Sequence, residues 1–249
     1  VRTIYVIGIG AGDPDHLTLQ AVAAMNRVDV FFTIDKGEAT SDLAGLRTEL
    51  LARHVTRPHR VVAARDPERD RGSAAYEVAV ADWQDRRETL YARMIADELP
   101  DGGVGAFLVW GDPALYDGTL RILDRIGSPP FEVVSIPGIS SVQALAAAHR
   151  LILNRVGGPF TVTTGRRLAA GGFPADADDV VVLLDSRDAF AELPDTDLDI
   201  YWGAYVGSLD EVLVHGDLQA VKDEIRAVRA RERERKGWIM DTYLLRRRT

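Results

Sequence analysis

The sequence contains no cysteine. Its absence excludes disulfides, thiolate nucleophiles and cysteine-bound metals, and it suits a reducing compartment, so a cytoplasmic location is expected. Histidine is scarce as well, with five among 249 residues. His16, His54, His59, His149 and His215 lack the spacing that builds a metal site on a helix, and no metal is expected. No apolar run reaches the length of a membrane span. The apolar segment 1–9 is short and runs into glycines, so it reads as a buried strand rather than a targeting segment. Positive charge is also in deficit: 30 Lys and Arg stand against 38 Asp and Glu, a net charge of −8. A negative field of that size disfavours nucleic acid as a partner, but it leaves room for a small acidic ligand held by local basic residues.

Apolar residues make up 46% of the chain, enough for one large core or two smaller ones. Strand patterns at residues 5–10, 30–34, 60–64, 106–110 and 131–136 alternate with helical ones. The first helix can be capped by Thr18, with Ala21, Val22 and Met25 inward. The second carries Leu43, Leu46, Leu50 and Leu51. A long one over residues 73–99 carries Tyr76, Val80, Trp83, Leu90 and Met94, and shorter ones cover 120–126 and 141–149. Such alternation predicts a five-stranded parallel sheet with right-handed crossovers, whose ligands bind beyond the carboxyl ends of the strands. Four glycine-bearing loops converge there: 8–14, 35–38, 111–118 and 137–141. Asn154-Arg155-Val156-Gly157-Gly158-Pro159 reads as a linker. Beyond it, strands at 160–164, 180–184, 199–205, 212–214 and 238–245 have fewer helices between them, which predicts a mixed sheet. The expected fold is therefore α/β, with domains 1–153 and 154–249 and a cleft between them. The charged run 222–236 interleaves both signs and reads as a solvated helix face.

Several familiar motifs fail. Gly8-x-Gly10-x-Gly12-Asp13 does not fit G-x-G-x-x-G, because the third glycine would fall at Asp13, where a carboxylate would repel a pyrophosphate. No Walker lysine follows these glycines. Gly138-Ile139-Ser140-Ser141-Val142 lacks the closing glycine of a nucleophile elbow. What remains is three loops. The first, Gly8 to Pro14, serves either as a tight turn or as bare backbone for a flat ligand. In the second, Gly111-Asp112-Pro113, the carboxylate can accept from an amine or a ribose, or cap the next turn. In the third, Pro137-Gly138-Ile139-Ser140, Ser140 and Gln143 fit a capping box.

Gly8-Ile9-Gly10-Ala11-Gly12-Asp13, Gly111-Asp112-Pro113 and Pro137-Gly138-Ile139-Ser140, in this order, resemble the three loops of the tetrapyrrole (corrin and porphyrin) methylase family. The resemblance covers the whole chain. It implies S-adenosylmethionine as cofactor, S-adenosylhomocysteine as product, a precorrin-type tetrapyrrole as substrate and a homodimer. Longer segments, among them Leu153-Asn154-Arg155, Thr163-Thr164-Gly165-Arg166-Arg167 and Gly237-Trp238-Ile239-Met240-Asp241-Thr242-Tyr243, narrow the resemblance to the branch that methylates C1 and releases an acetyl group as acetate. By position, the cofactor's implied neighbours are Ala11, Trp110, Gly111, Asp112, Leu115, Ser140 and Ser141, joined by Leu184, Asp185 and Ala204 from the second domain. Two departures stand out. Ala11 replaces the usual proline, and Asp185 replaces an apolar residue, which implies a more polar adenine pocket.

Methyl transfer from a sulfonium needs alignment and exclusion of water more than covalent help. Loss of the acetyl group needs water to attack a ketone, and therefore a base or polarising donor. Asp35, Lys36 and Tyr116 lie on crevice loops and are the candidates, each with a surface or capping role as its plain alternative. Arg155, Arg166 and Arg167 are candidate clamps for the substrate's carboxylates. On an extended strand, only one of the last two would face the ligand. A sister methylase acting on another tetrapyrrole carbon or on a protein, and a non-catalytic protein that binds S-adenosylmethionine, remain the alternatives.

Overall fold

The computed structural model describes residues 1–35, 41–68 and 76–248. They form two compact units, one of Val1–Gly10 with Pro14–Ser140 and one of Ala11–Asp13 with Ser141–Thr249.

The first unit is built on strands β1 (Arg2–Gly8), β2 (Val30–Asp35), β3 (Arg60–Arg65), β4 (Val104–Val109) and β5 (Phe131–Ile136). All pair in parallel, in the order β3-β2-β4-β1-β5. The central strands are nearly continuous apolar runs because helices cover both faces of the sheet. Alternate side chains separate two cores. Ile4, Val6, Phe32 and Phe107 pack under α3 (Tyr76–Glu98), where the Tyr91 ring stacks on Phe107 at 4.7 Å. Ile7, Phe31 and Ala106 pack under α1 (Leu19–Met25) and α2 (Ser41–His54). Thr18 caps α1 as its sequence predicts, its Oγ1 accepting from the Ala21 amide at 3.0 Å. A short α4 (Thr119–Arg125) connects β4 to β5.

The second unit holds α5 (Ser141–His149), β6 (Thr161–Thr164), α6 (Gly165–Gly171), β7 (Asp179–Leu183), β8 (Leu198–Ala204), β9 (Val212–Asp217), α7 (Leu218–Lys236) and β10 (Asp241–Arg247). Its sheet order is β6-β7-β10-β8-β9, with only β6 and β7 parallel. Mixed pairing was the expectation, and the five strands lie within a few residues of their predicted places. The core centres on Trp202, Tyr243, Phe190 and Ile225, all fully buried.

Two expectations differ. The units part between Ser140 and Ser141, not at 153/154. The His149 ring bonds the Trp202 carbonyl at 3.0 Å, and Gly203 is bare where any Cβ would stand 3.0 Å from Leu145. These contacts place α5 with the second core. The glycines at 157 and 158 mark a turn inside that unit, where the Gly158 amide donates to the Arg155 carbonyl at 2.9 Å. A composition change locates a turn, whereas packing decides which core a helix joins. The charged run 222–236 is also not wholly solvated. Arg229 and Glu232 are buried, and Arg229 holds Asp241 at 3.0 Å and Asp188 at 2.9 Å.

Candidate active site

The carboxyl ends of β1, β4 and β5 are locked together through bare backbone. A Cβ on Gly8 would stand 2.7 Å from both the Gly111 oxygen and the Gly138 nitrogen. A Cβ on Gly138 would stand 2.2 Å from the Gly111 oxygen. Neither approach tolerates a side chain, so glycine is required at these positions by the loops' contact with one another. Gly10 and Gly111 form an isolated antiparallel bridge, with Gly111 donating to the Gly10 carbonyl at 2.8 Å. Asp112 joins the third loop. Its Oδ2 accepts from the Gly138 amide at 2.9 Å and its Oδ1 from the Ala114 amide at 2.8 Å. The capping reading of Asp112 therefore holds, and the bond to Gly138 adds a clamp between strand ends that are 26 residues apart in sequence. A carboxylate has lone pairs beyond these two bonds, so a ligand's hydroxyl or amine can still be accepted.

The loop after Asp112 turns sharply at Tyr116, which has φ of 53° and is 47% exposed. A tyrosine in the left-handed region is uncommon and carries strain of order 1–3 kcal/mol. Leu115 and Tyr116 line a groove of about 580 Å³ between α3 and α4, together with Trp83, Asp117, Arg121 and Arg125. Arg125 is paired with Asp85 and Glu88.

Beside this groove lies a smaller cavity of about 80 Å³ under the ends of β2 and β4. Trp110, Arg47, Arg87, Tyr91, Asp117 and Thr119 line its polar side, and Phe32 and Phe107 its apolar side. Arg47 donates from Nε to the Leu108 carbonyl at 3.3 Å and stands 5.6 Å from the Trp110 ring. Burial pulls its guanidinium below the ordinary arginine value, while Asp117 and Tyr91 oppose that shift. Burial pushes the Tyr91 phenol above its ordinary value, so it stays protonated. Arg87 lies 2.9 Å from Asp66 Oδ1 without pointing its N–H at it, and covers the Trp83 ring at 4.7 Å.

Trp110, Gly111, Asp112 and Leu115 thus share one loop. Asp35 closes β2, exposed, with its carbonyl accepting from the Asp66 amide at 2.8 Å. Lys36 lies outside the described residues. Ser140 is buried immediately ahead of α5, whose first residue is Ser141.

In the second unit, Ala11 is half-buried and Leu184 is 66% exposed with φ of 55° at the end of β7. Ala204 is fully buried at the end of β8, so its side chain belongs to the core. Asp185 corrects an expectation. Rather than making an adenine pocket polar, its carboxylate turns inward and accepts from Arg187 N at 3.0 Å, Ala189 N at 2.8 Å and the Tyr243 hydroxyl at 2.7 Å. Burial, and then the Asp185 charge, push that phenol well above its ordinary value. Arg155 is likewise committed. It donates to the Arg247 carbonyl and stands 3.8 Å from the buried Asp179. Arg166 and Arg167 lie on the exposed first turn of α6, not on an extended strand, so the argument that they point oppositely does not apply. Thr164 caps this helix, which the sequence reading missed.

Arg47, Arg87 and Tyr91 were missed as well, although the signal was there. Trp83, Arg87 and Tyr91 share one face of α3 at i, i+4 spacing, so an arginine interrupts an aromatic stripe. Arg47 interrupts the face of α2 between positions 43 and 51 in the same way.

Residues 3–222 match the family described as Tetrapyrrole (Corrin/Porphyrin) Methylases. The chain is 45% identical to a precorrin-6A synthase [deacetylating] of Sinorhizobium sp., over 99% of this chain and 96% of that protein. Among solved structures, a cobalamin-synthesis-related protein from Corynebacterium diphtheriae matches with a TM-score of 0.85 and 36% identity, covering all of both chains. A uroporphyrin-III C-methyltransferase from Thermus thermophilus, complexed with S-adenosylhomocysteine, matches with a TM-score of 0.60 at 21% identity, over 98% of this chain and 96% of that one. That last likeness concerns the fold alone.

Proposed function

This chain belongs to the tetrapyrrole (corrin/porphyrin) methylase family, and from that premise we propose that it converts precorrin-5 to precorrin-6A by methylation at C1 and release of acetate. It is an S-adenosylmethionine-dependent methyltransferase. The observation that carries the substrate assignment is identity of 45% along essentially the whole length of a deacetylating precorrin-6A synthase.

The residues present fit the cofactor. Three backbone loops packed too closely for a Cβ meet at Asp112, whose oxygens retain acceptor capacity. Trp110, Gly111, Asp112, Leu115 and Ser140 would hold it from the first unit. The bound cofactor supplies an electrophilic methyl group on a sulfonium. The chain's own part is to fix that group's direction and keep water away, which rigid loops without mobile side chains do at little entropic cost. Asp112 serves by holding the β4 and β5 loops in register and orienting a donor on the nucleoside. Arg166 and Arg167, exposed on one helical turn, are proposed to meet substrate carboxylates. Arg155 is too firmly engaged to share that role.

Among the described residues, no helix is long and apolar enough to cross a membrane. A cytoplasmic location and a homodimer are proposed from the family resemblance. The decisive experiment is mass spectrometry of the products formed from precorrin-5 and S-adenosylmethionine. One methyl group gained and one acetyl group lost per turnover is expected. Methylation without release of acetate would instead favour a sister methylase.

A further inference from the structure

The proposed reaction adds a methyl group and also removes an acyl group, and the carboxylate of the glycine loops, Asp112, already accepts from the Gly138 and Ala114 amides. The small cavity beside them brings a second carboxylate, Asp117, together with Arg47 and Trp110. Arg47 is half-buried and bonds through Nε to the Leu108 carbonyl at 3.3 Å, with no hydrogen bond from its terminal nitrogens among the described residues. The Trp110 Nε1–H is buried, also without an acceptor among the described residues. An unmet buried indole N–H costs about 1–3 kcal/mol. Fold stability does not explain that unmet donor beside a guanidinium in one cavity, whereas a ligand oxygen does.

The remaining walls narrow the ligand's chemistry. The volume of about 80 Å³ equals two or three waters at roughly 30 Å³ each, which is room for an acetyl group and not for a macrocycle. Phe32 and Phe107 offer an apolar wall for a methyl group. Asp117 also lines the cavity. Its Oδ1 accepts from the Thr119 amide at 2.8 Å, and its Oδ2 has no hydrogen-bond partner among the described residues. With Asp117 beside Arg47 and Asp66 beside Arg87, the charges balance. The cavity therefore suits a neutral carbonyl better than a free anion. Arg87, Asp117 and Thr119 line both this cavity and the wider groove, so the two adjoin.

We propose that this cavity is the deacylation site, in which Arg47 and the Trp110 N–H polarise the substrate's ketone and Asp117 activates the water that attacks it. The assignment rests on the reaction proposed above. Water gives a proton to the Asp117 carboxylate as its oxygen bonds to the ketone carbon, and the former carbonyl oxygen takes the negative charge facing Arg47 and Trp110. Collapse of this adduct breaks the bond between the acyl carbon and the macrocycle. The electron pair passes into the ring system, the macrocycle takes the proton back from Asp117, and acetic acid leaves. One water is consumed, and no oxidant or reductant is needed.

The test compares the wild-type protein with Asp117→Asn and Arg47→Gln in oxygen-18 water, with precorrin-5 and S-adenosylmethionine. Asparagine keeps the oxygen that accepts from Thr119, so Asp117→Asn remains decisive if Arg47→Gln fails to fold. The wild type is expected to place one solvent oxygen in the acetate. Both variants should release acetate at least about 100-fold more slowly, the usual loss on removing a general base or a polarising donor. Their calorimetric affinity for S-adenosylmethionine should stay within about twofold, with the loss in kcat and not in KM. Acetate release within about threefold of wild type in Asp117→Asn, or a loss that follows cofactor affinity, would overturn the assignment alone. A wild-type protein that frees no acetate from precorrin-5 would overturn the functional reading and this site with it.

Discussion

Replacing Gly138 with alanine tests whether the glycine loops are a rigid clamp. The added Cβ would stand 2.2 Å from the Gly111 oxygen and 2.8 Å from the Gly8 Cα and carbonyl carbon. Every neighbour is backbone, so no flexible side chain can yield, and the loops of β1, β4 and β5 must separate. Overpacking of this kind costs about 1–3 kcal/mol. Separation also breaks the bond from the Gly138 amide to Asp112 Oδ2, and a hydrogen bond to a charged acceptor contributes about 1.5–3 kcal/mol. A total of about 2.5–6 kcal/mol is a large share of the roughly 5–15 kcal/mol that holds a typical domain folded. Gly127→Ala is the matched control. Its Cβ meets nothing within 4 Å and its φ is not positive, so it should be neutral or slightly stabilising through the unfolded chain. Urea unfolding would report stability, and calorimetry would report S-adenosylmethionine affinity, expected to fall at least about tenfold in Gly138→Ala. If both variants unfold at the same urea midpoint and bind the cofactor equally, the clamp argument fails.

Arg229→Met should destabilise the second unit by about 3–5 kcal/mol in urea, because it leaves Asp241 buried without its partner; a midpoint within error of wild type would contradict this. His149 gives a pH dependence. Burial holds its pKa below the ordinary 6.5, with the Trp202 carbonyl opposing. Above about pH 6.5 both states are neutral and stability is unaffected. Below it the unfolded chain takes up a proton that the folded chain resists, so stability falls from there down to the lower folded pKa. His149→Asn should flatten the difference between urea midpoints at about pH 7.5 and pH 5.5. Arg167→Ala is expected to raise the KM for the tetrapyrrole and leave S-adenosylmethionine affinity intact, whereas Arg155→Ala should lower the unfolding midpoint with no selective loss of substrate affinity. Equal substrate KM values for Arg167→Ala and wild type would remove Arg167 from the site.

Much of this molecule could be read from the order of its residues. Apolar runs alternating with amphipathic stretches implied the parallel sheet, because period and length are local properties of the chain. The glycine loops at residues 8, 111 and 138 were legible for the same reason, since a glycine at a strand end has few explanations. What could not be read was how those glycines touch one another, whether Asp112 reaches Gly138, and whether Asp185 faces inward or outward. Each of these depends on groups brought together from distant parts of the chain. Arg47, Arg87 and Asp117 are widely separated in sequence, yet they line one cavity. Local order thus determined which elements form. Only the tertiary structure decided which charges are buried and which partners they meet, because partnership is set by distance in space and by desolvation.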